Sequence, residues 1–203
     1  MNYNNSRVYS NKNTGIYPLE VFFDTGNKLR SVSVYSNKFT NILEPIYMNR
    51  TAEDNTYDLI LPKLEEGLSE KVTLTASMID ISGYTEEINI DIEVDTKAPS
   101  FTSFSLSGAA TQVDNNYEVS YSNVDGLELS WEINEDNISD SLGEVFVVVN
   151  NNYYEITSSK KDNTYSFDDV DLFVDNEYEV YVYSKDSVGN FNTSEKIIIK
   201  VVE

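Results

Sequence analysis

The stretch YEVYVYSKDSVGNFN, residues 178–192, decides the fold class. Its first half alternates apolar and polar side chains, a period typical of a strand with one face in a core and one in water. Its second half places Asp186, Gly189 and Asn190 in one short turn. A weaker copy of this strand and turn, VTLTASMIDISGYTE, occupies residues 72–86. The two stretches predict that the chain builds the same β unit twice.

Other landmarks recur at nearly the same spacing. The segments DNTYDLILPKL and DNTYSFDDVDL begin 108 residues apart, at Asp54 and Asp162, and so do LEVFF and LELSW, at Leu19 and Leu127. The copies meet at the segment VDTKAPSF, where Pro99 cannot donate a hydrogen bond to a strand ladder. The predicted organisation is an N-terminal linker or first strand (1–14), a first domain (15–94), a short linker (95–99) and a second domain (100–203).

Apolar side chains recur at every second position in both copies, which predicts strands rather than helices. Gly83 and Gly189 supply the positive φ that the turns after these strands require. Residues 62–71 are the best helical candidate, and Gly67 limits them to a turn or two. About seven short strands in about 100 residues predict an immunoglobulin-like sandwich. The expected fold is therefore all-β, with two tandem immunoglobulin-like antiparallel β-sandwiches joined by a short linker. The predicted core faces comprise Val72, Leu74, Ala76 and Met78, then Ile88, Ile90, Ile92 and Val94, then Tyr178, Val180, Val182 and Ser184, and finally Ile197, Ile199 and Val201.

Part of the second copy resembles the fibronectin type III family. In that family a Trp lies on the second strand, and a Leu precedes by six residues a Tyr that opens an alternating run; Trp131, Leu172 and Tyr178 match these places. The segments VDTKAPSF and YVYSKDSVGN also resemble the tandem immunoglobulin-like repeats of bacterial and archaeal surface proteins. This chain departs from the family where Val174 replaces a Pro and where Val72 replaces the Tyr. The resemblance implies a repeat module of a surface protein.

The net charge of the chain disfavours some classes of binding partner. There are 14 Lys and Arg against 35 Asp and Glu, a net charge of −21, so nucleic acid and anionic membranes are disfavoured. No apolar run approaches the ~20 residues of a membrane-spanning helix, and the N-terminal residues lack the apolar core of a signal peptide. We interpret the chain as a fragment of a larger exported protein at the cell surface, with no membrane insertion.

Catalysis has little support in the sequence. His and Cys are both absent, which removes the commonest general base and the most reactive nucleophile. The chain also contains no phosphate-binding loop, dinucleotide fingerprint or EF-hand loop. We therefore predict that it is not an enzyme.

Calcium is the one cofactor that the sequence favours. Acidic loops are expected to meet where the linker enters the second domain, and Ca²⁺ takes six to eight oxygen ligands. The alternative, in which Asp186 and Asn190 only hydrogen-bond their own turn, stays open. The predicted metal ligands are Asp95, Asp136, Asp186, Glu135 and Glu66.

The leading functional prediction is a structural spacer or stalk segment of a prokaryotic adhesin or surface-layer protein, with neighbouring repeats of the same polypeptide as partners. One alternative is a module that binds a glycan or a host or cell-surface protein. Tyr153 and Tyr154 are adjacent on a predicted strand, so at least one is expected to be exposed. The other alternative is an accessory module of a secreted hydrolase.

Overall fold

The computed structural model describes residues 8–9, 15–23, 25–36, 47–50, 56–61, 66–113, 116–135, 142–157, 160, 162–168 and 170–203. Its contacts separate the chain into two compact units, which divide between Lys97 and Ala98. Nearly all regular structure in the described residues is β-strand.

The first unit consists of two sheets. One has the strand order β1-β7-β6-β3 and the other β2-β5-β4. All pairs are antiparallel except β1 and β7, which run parallel with Val8 opposite Glu93. The strands are β1 (Val8–Tyr9), β2 (Gly15–Phe22), β3 (Leu29–Tyr35), β4 (Tyr47–Arg50), β5 (Thr56–Leu61), β6 (Ser69–Asp80) and β7 (Thr85–Asp95).

The core of the first unit lies where alternation predicts it. From Val72 to Asp80 every second residue of β6 is buried, and Thr73, Thr75 and Ser77 between them are polar, because a period of two sends one face inward. Phe23 directly follows β2 and is fully buried, and its ring meets Tyr57 edge-on at 6.1 Å. The buried cluster comprises Phe23, Val72, Leu74, Ala76, Met78, Ile90, Ile92 and Val94, with Ile88 packed against it.

The second unit is an immunoglobulin-like sandwich of two sheets. The larger has the order β13-β12-β15-β17-β10-β9, with β16 paired to β15, and the smaller has the order β14-β11-β8. Only β10 and β17 pair in parallel among these strands. The strands are β8 (Ser100–Ser107), β9 (Ala110–Val113), β10 (Asn116–Ser120), β11 (Glu128–Asn134), β12 (Leu142–Val149), β13 (Asn152–Glu155), β14 (Asp162–Ser166), β15 (Glu177–Asp186), β16 (Phe191–Thr193) and β17 (Ile197–Val202).

Trp131 and Tyr178 anchor the core of the second unit. The Trp131 ring is buried, and its Nε1 donates a hydrogen bond to the Lys160 carbonyl at 3.2 Å. The Tyr178 hydroxyl accepts a hydrogen bond from the Phe173 backbone N–H at 2.7 Å. This contact matches the tyrosine corner of immunoglobulin-like sandwiches, where a tyrosine near the start of the sixth strand binds the backbone upstream. Val180, Val182 and Ser184 continue the same inner face, as the alternation predicts.

The two glycine turns are confirmed. Residues 62–65 of the helical candidate lie outside the described residues, and its described part is not helical. Gly83 and Gly189 have φ of 87° and 99°, which L side chains rarely adopt. Residues 66–71 form a turn and the start of β6 instead of a helix. The described residues contain a single short 3-10 helix, Tyr121–Gly126, which the sequence patterns did not indicate. None of the helical structure in these residues is long and apolar enough to cross a membrane.

Candidate functional site

The turn after β15 is built around the carboxylate of Asp186. Its Oδ1 accepts hydrogen bonds from the backbone N–H groups of Val188 and Asn190, at 2.9 and 2.8 Å. Its Oδ2 accepts one from Asn190 Nδ2 at 2.7 Å. An Asp side chain that accepts hydrogen bonds from the backbone N–H groups two and four residues later closes the turn by itself. The turn-closing role of Asp186 and Asn190 is therefore present in the structure.

A second buried carboxylate lies beside this turn. Glu135 follows β11 and is fully buried, as is Asp186, and their carboxylate oxygens lie within 4.8 Å of each other. Burial raises the pKa of Asp186 above its ordinary value, and the hydrogen bonds from Asn190 and Val188 oppose that shift. Two carboxylates at this distance and depth favour either a proton or a cation between them. We call Glu135 and Asp186 the carboxylate pair.

The equivalent turn of the first unit has the opposite electrostatics. Asp80 ends β6, and its Oδ1 accepts hydrogen bonds from Ser82 Oγ, Ser82 N and Tyr84 N at 2.6, 2.7 and 2.9 Å. Its Oδ2 accepts one from Asn27 Nδ2 at 2.8 Å. Hydrogen bonds from Ser82 and then Asn27 hold the pKa of Asp80 well below its usual range.

The repeat spacing explains this contrast. Asn27 and Glu135 are separated by the same 108 residues that separate Leu19 from Leu127. At one corresponding position the first unit therefore has an amide that donates to the turn carboxylate, whereas the second unit has another carboxylate. This 108-residue spacing is a signal in the sequence itself, and it is sufficient to match the two positions.

The remaining predicted ligands have different placements. Asp95 ends β7 in the first unit, where its Oδ1 accepts a hydrogen bond from Lys97 N at 3.1 Å. Glu66 is exposed in the turn before β6 and belongs to no close group of acidic ligands among the described residues. Asp136 lies outside the described residues. Within the second unit, the structure thus brings together Glu135 and Asp186.

The aromatic prediction is confirmed for Tyr153. Its side chain is 58% exposed on β13, while Tyr154 is half-buried and packs against the core. Adjacent strand residues face opposite ways, which accounts for the difference.

The solved structures that are similar to this chain are distant from it in sequence. No protein-family model and no curated protein matches the chain. Similar solved structures include the fibronectin(III)-like modules of Clostridium thermocellum CbhA, at 13% identity over 89% of this chain and 82% of that one, with a TM-score of 0.34. The D00-D0 domain of intimin is 13% identical over 95% of both chains, with a TM-score of 0.41. Protocadherin gammaB7 EC3-6 is 13% identical over 86% of this chain and 41% of that one, with a TM-score of 0.32. Because these TM-scores are below 0.5, we base the immunoglobulin-like and fibronectin type III-like assignment on the strand order and the tyrosine corner.

Proposed function

We propose that the chain is a non-catalytic spacer segment of a prokaryotic cell-surface protein, such as an adhesin or a surface-layer protein, and that its partners are neighbouring repeats. The observation that carries the proposal is a parallel pairing next to the C-terminal strand. In the second unit five consecutive residues of β10 lie opposite five of β17, from Asn116–Ile198 to Ser120–Val202. In the first unit β1 pairs with β7 in the same parallel manner.

Parallel pairing determines how force reaches the sheet. When the start of β10 and the end of β17 are pulled apart, the two strands slide along each other, so their evenly spaced hydrogen bonds share the load. The same strands would separate one bond at a time if both were pulled from the same end. Forced unfolding is governed by the unfolding barrier rather than by equilibrium stability. A segment that transmits tension therefore benefits from this arrangement.

Pulling geometry tests the proposal directly. The chain has no Cys, so pairs of introduced cysteines define where force is applied. The Asn116→Cys/Glu203→Cys variant loads opposite ends of β10 and β17 and shears them against each other. The Tyr121→Cys/Glu203→Cys variant pulls at the ends of the partners Ser120 and Val202 and unzips them. We expect a several-fold higher unfolding force in the first variant. Equal forces would remove the mechanical argument for a spacer.

The finer part of the proposal is that calcium binds at the carboxylate pair together with Asp95. The Pro99 carbonyl accepts a hydrogen bond from Asn192 Nδ2 at 3.0 Å, and Ser100 pairs with Asn134, the neighbour of Glu135. Asp95 precedes Pro99 by four residues, so their Cα atoms are at most about 14 Å apart. This length of chain allows a third carboxylate to reach the pair. Carboxylates are hard oxygen ligands suited to Ca²⁺.

Calorimetry on the full chain tests the calcium site. We expect binding with a Kd on the order of 10⁻⁴–10⁻³ M, the range of extracellular modules. Glu135→Gln should abolish the binding heat, because it gives the second unit an amide where the first has Asn27. Glu132→Gln is the matched control. It makes the same chemical change three residues before Glu135, at a side chain that is exposed on β11. Absence of heat from the unaltered chain at millimolar Ca²⁺ would disprove the site.

Proteolysis supplies a second readout for the linker. Lys97 is exposed two residues after Asp95, and a lysine-specific protease that works in chelator can cleave after it. Calcium should slow this cleavage in the unaltered chain, whereas the cleavage rate of the Asp95→Asn variant should not change. If calcium protects the unaltered chain and Asp95→Asn equally, Asp95 is not a ligand. The spacer proposal is tested separately, by the pulling experiment.

A further inference from the structure

Aromatic side chains cross the outer face of the larger sheet in the second unit. Inward residues of β12 and β15, such as Val147 and Val182, belong to the core cluster. The intervening residues Phe146 and Tyr183 therefore face outward, directly opposite each other. We call the outward set Tyr153, Phe146, Tyr183 and Phe191, from β13, β12, β15 and β16, the aromatic row.

The rings of the aromatic row contact one another in sequence across four strands. Phe146 meets Tyr153 edge-on at 5.8 Å and Tyr183 at 6.2 Å, and Tyr183 stacks on Phe191 at 5.6 Å. The two ends are the most accessible, since Tyr153 is 58% and Phe191 51% exposed. Monomers expose single apolar side chains routinely, but a contiguous aromatic surface marks an interaction site.

Cations already lie on this face. Tyr181 faces outward two residues before Tyr183, and Lys196 Nζ lies 4.8 Å from the centre of its ring. The same Lys196 Nζ forms an ion pair with Glu179 at 2.8 Å. At the other end of β15, Lys185 Nζ pairs with Glu144 at 3.0 Å. The face thus uses ring surfaces and carboxylates together to hold ammonium groups.

One carboxylate on the same face is available to a partner. Glu155 lies opposite Phe146 in the β12–β13 ladder, so both project from the outer face. It is exposed and forms no ion pair with any residue that the structure describes. The net charge of −21 adds a long-range attraction for positive partners.

We propose that the aromatic row and Glu155 bind a cationic segment of another protein, in which Arg or Lys side chains lie on Tyr153 and pair with Glu155. Charge complementarity favours this partner over a glycan. Successive sugar rings stack best on a flat aromatic surface, whereas the Phe146 and Tyr153 planes are inclined at 82°. A guanidinium needs only one ring face within about 6 Å. The proposal is independent of the spacer and calcium proposals.

Titration with defined peptides tests the proposal. The probe is a ten-residue peptide of alternating Arg and Ser, added to the full chain in chelator, and the same peptide with Gln for Arg is the control ligand. We expect the Arg peptide to bind and the Gln peptide not to bind. Tyr153→Ala should weaken binding about two- to fivefold, the worth of one exposed cation–π contact. Glu155→Gln should weaken it by a similar factor, and Tyr153→Phe should retain most of the affinity.

Matched variants separate a specific surface from general attraction to an acidic chain. Tyr121→Ala removes a tyrosine of similar exposure, 55%, outside the aromatic row. Glu132→Gln removes an exposed carboxylate on the other sheet. Neither should change the affinity for the Arg peptide. If these variants weaken binding as much as Tyr153→Ala and Glu155→Gln do, or if cellohexaose binds the aromatic row while the Arg peptide does not, the proposal is wrong.

Discussion

The strand that follows β3 in the first unit and the strand that follows β12 in the second lie in different kinds of pairing. In the first unit β4 pairs with β5, whereas in the second β13 pairs with β12. The connection explains the difference. Asn150 and Asn151 alone join β12 to β13, with φ of 45° and 66°, the conformation of a two-residue hairpin turn whose twist matches its strands. Residues 36–46 separate β3 from β4, which is long enough to cross to the other sheet.

The turns after β6 and β15 teach a second lesson, because a similar backbone supports opposite electrostatics. Both turns close on an Asp and use a glycine with positive φ. Asn27 donates to Asp80 in the first unit, while Glu135 places a second carboxyl group near Asp186 in the second. The backbone of a repeat therefore does not determine whether its turn is a closed structural element or a candidate ion site.

Truncation of the two central aromatics should produce the largest effects. Trp131→Ala should cost about 3–5 kcal/mol of unfolding free energy, and Phe23→Ala should fall in the lower part of that range because its ring is smaller and makes no hydrogen bond. Urea melts followed by circular dichroism measure both. Trp131 is the only Trp, so its fluorescence in Phe23→Ala reports on the second unit alone. A loss below about 1 kcal/mol for Trp131→Ala would contradict its place in the core.

The hairpin should come next. Asn151→Val places a β-branched residue at φ 66°, and a left-handed conformation costs a residue with a Cβ about 1–2 kcal/mol. Asn152→Val, one position later and inside β13, is the control, because strands favour Val. Urea melts monitored by Trp131 fluorescence compare the two. Equal stability would mean that the connection does not hold β13 on β12.

Acid should affect the two turns in opposite directions. The pKa of Asp80 is lowered in the fold, so its stabilisation is present above the unfolded value near 3.9 and is lost as pH falls through the folded pKa. The pKa of Asp186 is raised, so the second unit gains stability as pH falls from that folded pKa towards 3.9. Thermal midpoints in chelator, with Asp80→Asn and Asp186→Asn as references, isolate each contribution. For each variant, the difference in thermal midpoint from the unaltered chain is plotted against pH. If the two differences change with pH in the same direction, the electrostatic contrast is wrong.

Most of the fold could be predicted because its signals are local. Alternation within one strand identified the inner faces of β6 and β15, and the spacing to the next turn identified Gly83 and Gly189. The sheet that β4 or β13 joins depends on loop length and on φ at Asn150 and Asn151, which alternation does not encode. The contact of Phe146 with Tyr183 depends on register between two strands, so the aromatic row has no local signature.

The candidate site was predicted in part for the same reason. Glu135 and Asp186 come from the ends of strands that the tryptophan and tyrosine patterns had already located. Glu66 is a predicted ligand because its acidic loop is expected to lie near the linker, and the structure leaves it exposed. Composition indicates that cations are attracted, but only the ends of particular strands determine which carboxylates meet.

The smallest effect on stability should come from removing the hydroxyl of Ser184, which occupies the position where the first unit has Met78. Met78 and Ser184 each lie two residues before the turn Asp, and both are fully buried. Ser184 Oγ has no hydrogen-bond partner in the described part of the chain, and leaving such a group unpaired costs about 1 kcal/mol or more.

Ser184→Ala should therefore stabilise the second unit by about 1 kcal/mol, because it removes a buried hydroxyl without opening a large cavity. Ser194→Ala is the matched control on the same sheet, since Ser194 Oγ accepts a hydrogen bond from Val182 N at 2.9 Å and donates one to the Glu195 carbonyl at 2.8 Å. That variant should lose stability by a similar amount, because it leaves the Val182 N–H unpaired. Urea melts followed by Trp131 fluorescence compare both with the unaltered chain. If Ser184→Ala is destabilising, the hydroxyl is satisfied in solution, and the difference from Met78 reflects a polar contact at this end of the core.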